Sequence, residues 1–272
     1  MNHSNHCEEL ATRIQIADER YRAGLPTGYS NEEFDDLKES LRKTDPEHPL
    51  FKSPGGGSNL LSLGNESFEE WYYKLPSNTP LVVQPKIDGV AIALRYVDGL
   101  LVKAWNRKGA DKTYCMRMIK NIPSCIATDG TVEIRGELFG VHRSPESSQR
   151  LAAGHLRKKA PTGEGLIFCA FEIMRSKKEG REVFHEYFEG HEEIFYLEEW
   201  GFLTPPNEAL YEDVFMKVKD LFNKWEDSLL FAHFPTDGIV AKVTDRCLKE
   251  NLGESSVAPN WAIAIKQWKR VY

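Results

Sequence analysis

The tetrapeptide Lys86-Ile87-Asp88-Gly89 places a potential nucleophile near a carboxylate, directly after a run of strand-forming residues. A lysine amine attacks an electrophile only in its neutral form, whereas free lysine has a pKa of about 10.4. A lysine nucleophile therefore needs neighbouring cations or a desolvated environment. Taken alone, the four residues fit a solvated lysine beside an Asp-Gly turn equally well, so the rest of the chain must decide.

Further segments resemble, in the right order, the motifs of the covalent nucleotidyltransferases, the superfamily of DNA ligases, RNA ligases and capping enzymes. In chain order they are 83–89 (VQPKIDG), 105–109 (WNRKG), 134–139 (IRGELF), 168–171 (FCAF), 237–243 (DGIVAKV) and 262–266 (AIAIK). Six ordered matches favour a lysine nucleophile over an isolated turn.

Within that superfamily, the NAD-dependent bacterial DNA ligases match best. The segment 150–157 (RLAAGHLR) resembles their signature loop, and 61–65 (LSLGN) and 258–262 (APNWA) resemble two of their other elements. Apolar residues at helical spacing predict two N-terminal helices joined by a turn. This hairpin resembles the domain that binds the nicotinamide mononucleotide half of NAD.

The resemblance implies the chemistry of the central residues. Lys86 would attack the α-phosphorus of NAD, releasing nicotinamide mononucleotide and leaving a lysyl-adenylate that passes to a 5′-phosphate at a DNA nick. Lys242 and Lys266 would face the same phosphate, where cations favour a neutral amine and stabilise the transition state. Asp88 would lie near the ribose and the leaving group.

The resemblance also implies a binding role for residues around this centre. Phe171 would stack on the nucleobase, while Arg107 and Glu137 would contact the ribose. The remaining implied contacts are Ser62 and Leu63 to adenosine, Gln84 to adenine, Tyr21, Arg22 and Asp35 to the nicotinamide half, Arg150 and Arg157 to DNA, and Glu137 and Asp237 to Mg²⁺.

The sequence departs from the family at several of these positions. Gln84 stands where the family usually has the glutamate that reads the adenine amino group, and an amide oxygen can still accept that hydrogen bond. Tyr21-Arg22 replaces the usual Tyr-His, and 31–35 (NEEFD) replaces D-x-x-Y-D. Arg22 could still pair with a phosphate. NAD is therefore the expected substrate in spite of changed N-terminal contacts.

The predicted fold class is α+β. A small helical domain over 1–55 is followed by an adenylation domain over 56–272, an ATP-grasp-like fold of mainly antiparallel sheets flanked by helices. Prolines and three consecutive glycines before residue 58 favour this boundary. Asp98-Gly99 predicts a hairpin, Ser67 with Glu70 a helix cap, 262–268 a strand, and Leu210 through Trp225 one amphipathic helix.

The composition limits the types of site and the cellular compartments that are expected for this chain. The 272 residues carry a net charge of −6, and residues 1–50 hold 11 acidic against 6 basic side chains. The five cysteines lie far apart, without a C-x-x-C pair, which disfavours a disulfide framework or a zinc ribbon. With no apolar run long enough to span a bilayer and no signal peptide, the expected location is the cytoplasm, without membrane contact.

Three hypotheses remain open. The first is the adenylation part of an NAD-dependent DNA ligase, acting on nicked duplex DNA. It would need a second chain or further domains carrying an OB-fold, a zinc module and a helix-hairpin-helix module. The second is an ATP-dependent DNA or RNA ligase core. The third is an inactive nucleotide-binding partner subunit.

Overall fold

The computed structural model describes residues 10, 12–14, 29, 36–37, 40–41, 44–45, 60–61, 63–64, 66–141, 144–178, 181–182, 192–255 and 258–268. The chain divides into two compact units, 1–57 and 58–272. In the first unit, Leu10, Ile14 and Leu41 are helical and buried. The predicted boundary at residue 55 lies outside the described residues and stays a prediction.

The second unit contains two antiparallel sheets and six described helices. The first sheet has the strand order β7 (Glu208–Leu210), β1 (Leu81–Ile87), β8 (Thr236–Val243) and β9 (Ala262–Ile265). The second has the order β3 (Leu100–Asn106), β2 (Val90–Val97), β4 (Thr131–Gly140), β5 (Leu166–Lys178) and β6 (Arg181–Glu182). The helices are α1 (Phe68–Tyr72), α2 (Thr113–Arg117), α3 (Pro145–His155), α4 (Glu192–Glu199), α5 (Val214–Glu226) and α6 (Arg246–Leu252). The predicted α+β class with mainly antiparallel sheets is confirmed.

Each sheet buries one face against its own helices. In the first sheet, alternate residues such as Val83 and Ile239 pack on α1 and α5 through Trp71 and Phe222. In the second sheet, the buried face packs on α2, α3 and α4. Because strand side chains alternate between faces, the opposite face of each sheet is left to line a cleft.

A small apolar cluster joins the two sheets at one end of that cleft. Ile87 at the end of β1 packs with Phe139 of β4 and Cys169 of β5, and Phe234 lies against the same cluster. The rings of Phe139 and Phe234 are 6.0 Å apart between centroids. This cluster stands directly beside Lys86 and Asp88, which flank Ile87.

Local signals in the sequence explain several element boundaries. Asp98 and Gly99 both adopt positive φ, 47° and 78°, between β2 and β3, as a tight hairpin turn requires. Ser67 and Glu70 form the predicted capping box of α1. The second predicted capping box, Ser30 with Glu33, lies outside the described residues.

Three predicted boundaries were wrong. Leu210 belongs to β7, where it pairs with Leu81, and helix α5 begins only at Val214 after the left-handed Asp213. Strand β9 ends at Ile265 instead of continuing to Trp268. The segment 150–157, interpreted as a loop, is helical through His155 because it forms the second half of α3. Among the described residues, no helix is long and apolar enough to cross a membrane.

Candidate active site

A cleft of about 790 Å³ lies between the two sheets. The first sheet lines it with residues that alternate along each strand: Gln84 and Lys86 on β1, Val240 and Lys242 on β8, Ala262 and Ala264 on β9, with Lys266 just beyond. The second sheet contributes Ala91, Arg135, Glu137, Phe171 and Glu172. The alternation that leaves Val83 and Ile239 in the core thus directs the polar residues of the same strands into the cleft.

The cleft gathers residues that the sequence predicted from widely separated segments. Eleven of them line it: Leu63, Gln84, Lys86, Asp88, Arg107, Glu137, Arg150, Arg157, Phe171, Lys242 and Lys266. Ser62, Tyr21, Arg22 and Asp35 lie outside the described residues. The roles assigned to all these residues remain predictions, but their assembly around one cavity is a property of the structure.

Lys86 and Lys266 share one carboxylate. Lys86 Nζ donates to Asp237 Oδ1 at 2.7 Å, and Lys266 Nζ donates to Asp237 Oδ2 at 2.7 Å. Burial opposes the ionisation of Asp237, but the two lysines outweigh it and hold the pKa of this carboxyl below its ordinary value. Asp237 is therefore a stable anion between two cations.

A β-bulge creates this arrangement. Pro85 pairs with Ile239 and Ile87 with Thr236, so one more residue is accommodated on β8 than on β1 opposite Lys86. Gly238, with φ of 155°, lies in this bulge, and a Cβ there would be 2.5 Å from the carbonyl oxygen of Ile265. The glycine thus permits the end of β9 to approach, which brings Lys266 to Asp237.

Lys242 occupies a different environment from the other two lysines. Its Nζ lies 4.9 Å from the centre of the Phe171 ring and donates to the Phe171 carbonyl oxygen at 3.4 Å. Burial lowers the pKa of Lys242 to about 8, against the opposing effect of Glu172 and Glu193. Lys242 is consequently a desolvated cation held against an aromatic ring.

A second bulge presents Phe171. Arg135 pairs with Glu172 and Gly136 with Ala170, so Phe171 is the extra residue of β5 at this point. Bulges redirect side chains, and here both Phe171 and Glu172 reach the cleft. Arg135 fixes the pair, because its guanidinium lies 5.7 Å from the Phe171 ring centre and 3.3 Å from Glu172 Oε2.

Arg135, Glu172 and Gln149 line the cleft but were not predicted. Arg135 precedes Glu137 by two residues on the same strand, and this spacing alone places both on one face. Glu172 could not have been found in this way, because its orientation depends on the bulge. Gln149 donates to Asp88 Oδ1 at 3.2 Å from helix α3.

Helix α3 also positions the turn after the candidate nucleophile. Ser148 donates to the Asp88 carbonyl oxygen at 3.1 Å and accepts from the backbone N–H of Gly140 at 2.9 Å. A Cβ on Gly89 would be 2.2 Å from the Leu138 carbonyl oxygen, so only glycine permits this approach of β2 to β4. Burial, followed by the proximity of Asp237, raises the pKa of Asp88.

The carboxylates offer only part of a metal site. Burial raises the pKa of Glu137 to about 8 in spite of Lys86 and Arg135, and both oxygens of Asp237 are occupied by lysines. Among the described residues no cluster of three or more His, Cys, Asp or Glu side chains could hold a metal ion. This donor set fits a Mg²⁺ ion held mainly by substrate phosphates and water, and the assignment of Glu137 and Asp237 stays a prediction.

The two predicted DNA contacts, Arg150 and Arg157, and the predicted ribose contact Arg107 lie at the rim of the cleft. Arg107, Arg150 and Arg157 are exposed, and all three line the cavity. Arg150 forms an ion pair with Glu146 one helical turn earlier, and Arg157 Nε donates to the Ala153 carbonyl oxygen at 3.0 Å. These exposed contacts hold the side chains only weakly, so they leave both arginines available to phosphate.

Comparison with known proteins agrees with this geometry. The NAD-dependent DNA ligase adenylation domain family matches residues 60–269. The DNA ligase of Fervidobacterium nodosum is 27% identical over 301 aligned residues, which cover 95% of this chain and 44% of that protein. The DNA ligase of Corynebacterium aurimucosum is 30% identical over 307, covering 95% and 44%.

A more distant likeness is the ligase domain of M. tuberculosis LigD, with a TM-score of 0.48 and 15% identity, covering 78% of this chain and 61% of that one. The chain spans less than half the length of the curated relatives given above. The family match extends over most of the chain and includes every described residue of the cleft, which confirms the predicted resemblance. The chain belongs to the NAD-dependent DNA ligase adenylation domain family.

Proposed function

We propose that this chain transfers the adenylyl group of NAD to its own Lys86, as the adenylation part of an NAD-dependent DNA ligase. The observation that carries the proposal is the convergence of Lys86, Lys242 and Lys266 on one cleft that is also lined by Phe171 and Gln84. Cations around one position suit the charge that develops on phosphorus during transfer.

The proposed reaction begins with an exchange of anions. Lys86 Nζ is engaged with Asp237 Oδ1 at 2.7 Å, so it must leave this carboxylate before its amine can attack phosphorus. An α-phosphate bound between Lys86 and Lys266 competes with Asp237 for both. Lys266 then has a phosphate oxygen as its partner, while Asp237 remains ionised close by.

In the transfer step, the Lys86 Nζ–Pα bond forms as the bond from Pα to the bridging oxygen breaks. Nicotinamide mononucleotide leaves with the electron pair, and the amine loses its proton to solvent. Lys242, charged at neutral pH because its pKa is about 8, and Lys266 offset the charge on the phosphate. Mg²⁺ would add Lewis-acid stabilisation of the same oxygens.

The nucleoside half of NAD is accommodated by the inner walls of the cleft. Phe171 on one sheet and Val240 and Ala264 on the other all line this cleft, and an aromatic ring with apolar side chains suits the faces of a planar base. We place the ribose near Glu137 and Arg107, and the nicotinamide half near Tyr21, Arg22 and Asp35. These placements rest on the family resemblance.

The decisive experiment is intact-mass measurement of the full chain after incubation with Mg²⁺ and either NAD or ATP. We expect a gain of one adenylyl group with NAD, none with ATP, and none for Lys86→Ala. Lys217→Ala, which removes an exposed lysine of α5 that is not among the residues lining the cleft, is the matched control and should react normally. A gain with ATP only would support an ATP-dependent ligase core, and no gain with either would support an inactive subunit.

The use of NAD depends on the N-terminal residues in this proposal. In the full chain, Asp35→Ala and Tyr21→Ala should slow labelling by NAD by at least about tenfold, because a lost charged or stacking contact costs roughly that factor. Chemically pre-adenylated protein should not respond to these changes when it is supplied with nicked DNA. Unchanged labelling in both variants would refute the assigned nicotinamide contacts.

We further propose that the adenylate is passed to a 5′-phosphate of nicked duplex DNA with help from additional domains or a second chain. The relatives continue for more than the length of this chain, and a net charge of −6 provides no general affinity for DNA. Exposed Arg107, Arg150 and Arg157 give a few local phosphate contacts. Efficient multiple-turnover sealing by this chain alone at about 150 mM salt would refute the need for a partner.

A further inference from the structure

The side chain of Gln84 is the least exposed polar group that lines the cleft from the first sheet. The residue is only 4% exposed, and its strand partner is Val240, whose side chain lies on the same face. Among the hydrogen bonds of the described residues, none involves the Gln84 amide. The amide atoms are accessible from the cleft, because they are not among the buried side-chain atoms that lack a partner, so a ligand bound there can hydrogen-bond to them.

The surroundings indicate the shape of that ligand. Phe171 of the second sheet and Val240 and Ala264 of the first sheet line the same cleft as Gln84, so the cleft offers an aromatic ring and apolar side chains to the faces of a flat heterocycle. Its polar edge would then meet the Gln84 amide. In the proposed reaction this heterocycle is the purine of the dinucleotide.

An amide and a carboxylate differ in the hydrogen-bonding groups that they can recognise on a ligand. It offers both a donor and an acceptor, whereas an ionised carboxylate only accepts. The terminal torsion of glutamine is soft, and no described residue fixes the Gln84 amide, so a half-turn exchanges the order of donor and acceptor. One orientation matches the amino group and N1 of adenine, and the other matches O6 and N1–H of hypoxanthine.

We propose that Gln84 makes the cleft tolerant of both 6-amino and 6-oxo purines, so that NAD and its hypoxanthine analogue both modify Lys86. This inference rests on the proposed adenylation. The covalent step is the same for either base: the Lys86 Nζ–Pα bond forms, the bond from Pα to the bridging oxygen breaks, nicotinamide mononucleotide leaves with the electron pair, and the amine proton goes to solvent.

The test compares the initial rates of covalent labelling by NAD and by nicotinamide hypoxanthine dinucleotide. The two bases have nearly the same shape, so the comparison isolates the hydrogen-bonding edge. For the unmodified chain we expect the two rates to differ by less than about tenfold. For Gln84→Glu we expect the hypoxanthine analogue to react roughly 10- to 100-fold more slowly than NAD, because a carboxylate would face O6.

The control variant is Asn223→Asp, which makes the same amide-to-carboxylate change at an exposed position of α5 and should leave the ratio unchanged. Labelling by NAD with a more than about tenfold slower reaction of the hypoxanthine analogue in the unmodified chain would overturn the inference and leave the proposed function standing. Labelling by neither dinucleotide would overturn the proposed function, and the inference with it. The ratio in the unmodified chain decides the matter even where Gln84→Glu fails to fold.

Discussion

Two groups of charged residues in the same cleft use lysine in opposite ways. The bridged group consists of Lys86 and Lys266 with Asp237 between them, and the ring group consists of Lys242 and Arg135 around Phe171. The bridged lysines are partly exposed and paired with a full negative charge. Lys242 is held by an aromatic face and a backbone carbonyl, and its pKa is lowered to about 8 by burial.

The two environments suit the lysines to different roles in the reaction. An ion pair at a partly exposed site is easily exchanged for another anion because solvent screens it. A desolvated cation beside a ring has little freedom and acts by its fixed position. The bridged group is thus suited to receive a phosphate and release a product, while the ring group is suited to hold a base and one side of that phosphate.

The largest expected effect on the labelling rate comes from a substitution that disrupts the bridged group. Lys266→Ala removes a cation that would contact the phosphate, and losing one preorganised contact costs about 10²–10³ in rate. We expect single-turnover labelling by NAD to slow by that factor, with the circular dichroism spectrum unchanged. Lys217→Ala should react at the normal rate. A normal rate for well-folded Lys266→Ala would show that the bridge to Asp237 is only structural.

The next prediction distinguishes the ring group from the bridged group by the pH dependence of protein stability. Burial depresses the pKa of Lys242 to about 8, so between pH 8 and the ordinary lysine value the unfolded chain binds more protons than the folded chain. The contribution of Lys242 to the free energy of unfolding therefore rises with pH across this window. We measure the free energy of unfolding with urea at pH 8 and at pH 10. We expect it to rise by about 1–3 kcal/mol less in Lys242→Met than in the unmodified chain. Identical pH slopes for both proteins would contradict a depressed pKa.

A smaller effect concerns the ring itself. Phe171→Leu keeps the apolar volume but removes the aromatic face, and stacking on a base is worth about 1–3 kcal/mol. We expect roughly tenfold weaker NAD binding, seen as a higher KM for labelling, with little change in the maximal rate. Phe195→Leu, at an exposed position of α4, provides the control. A change in maximal rate without a change in KM would place Phe171 outside the binding step.

The smallest effect is expected at the rim. Arg150 is 74% exposed, and its ion-pair partner among the described residues is Glu146 of the same helix, so Arg150→Ala should change self-labelling by less than about twofold. The same variant should weaken transfer of the adenylate to nicked DNA, more at low salt than at high salt. A strong loss of self-labelling would assign Arg150 to the dinucleotide instead of DNA.

The sequence predicted the cleft better than it predicted the details of the strands that form it. Gln84 and Lys86, two residues apart on β1, share a face by simple alternation, and the same rule could have added Arg135 to Glu137. The positions of Asp237 and Phe171 depend on bulges, whose register is set jointly by two strands distant in sequence. Leu210 has the spacing of α5, yet it pairs with Leu81 and lies in β7, a pairing with a strand that is distant in sequence.

The apolar cluster of Ile87, Phe139 and Cys169 has a mechanical consequence for this site. The two walls of the cleft rest on separate hydrophobic cores, and this cluster fastens them together at one end. A second contact joins the walls beside Phe171, because Lys242 Nζ of the first sheet donates to the Phe171 carbonyl oxygen of the second sheet at 3.4 Å. The walls are therefore joined both beside Lys86 and beside Phe171. A substitution that loosens either contact would alter the spacing between the reacting amine and the aromatic ring.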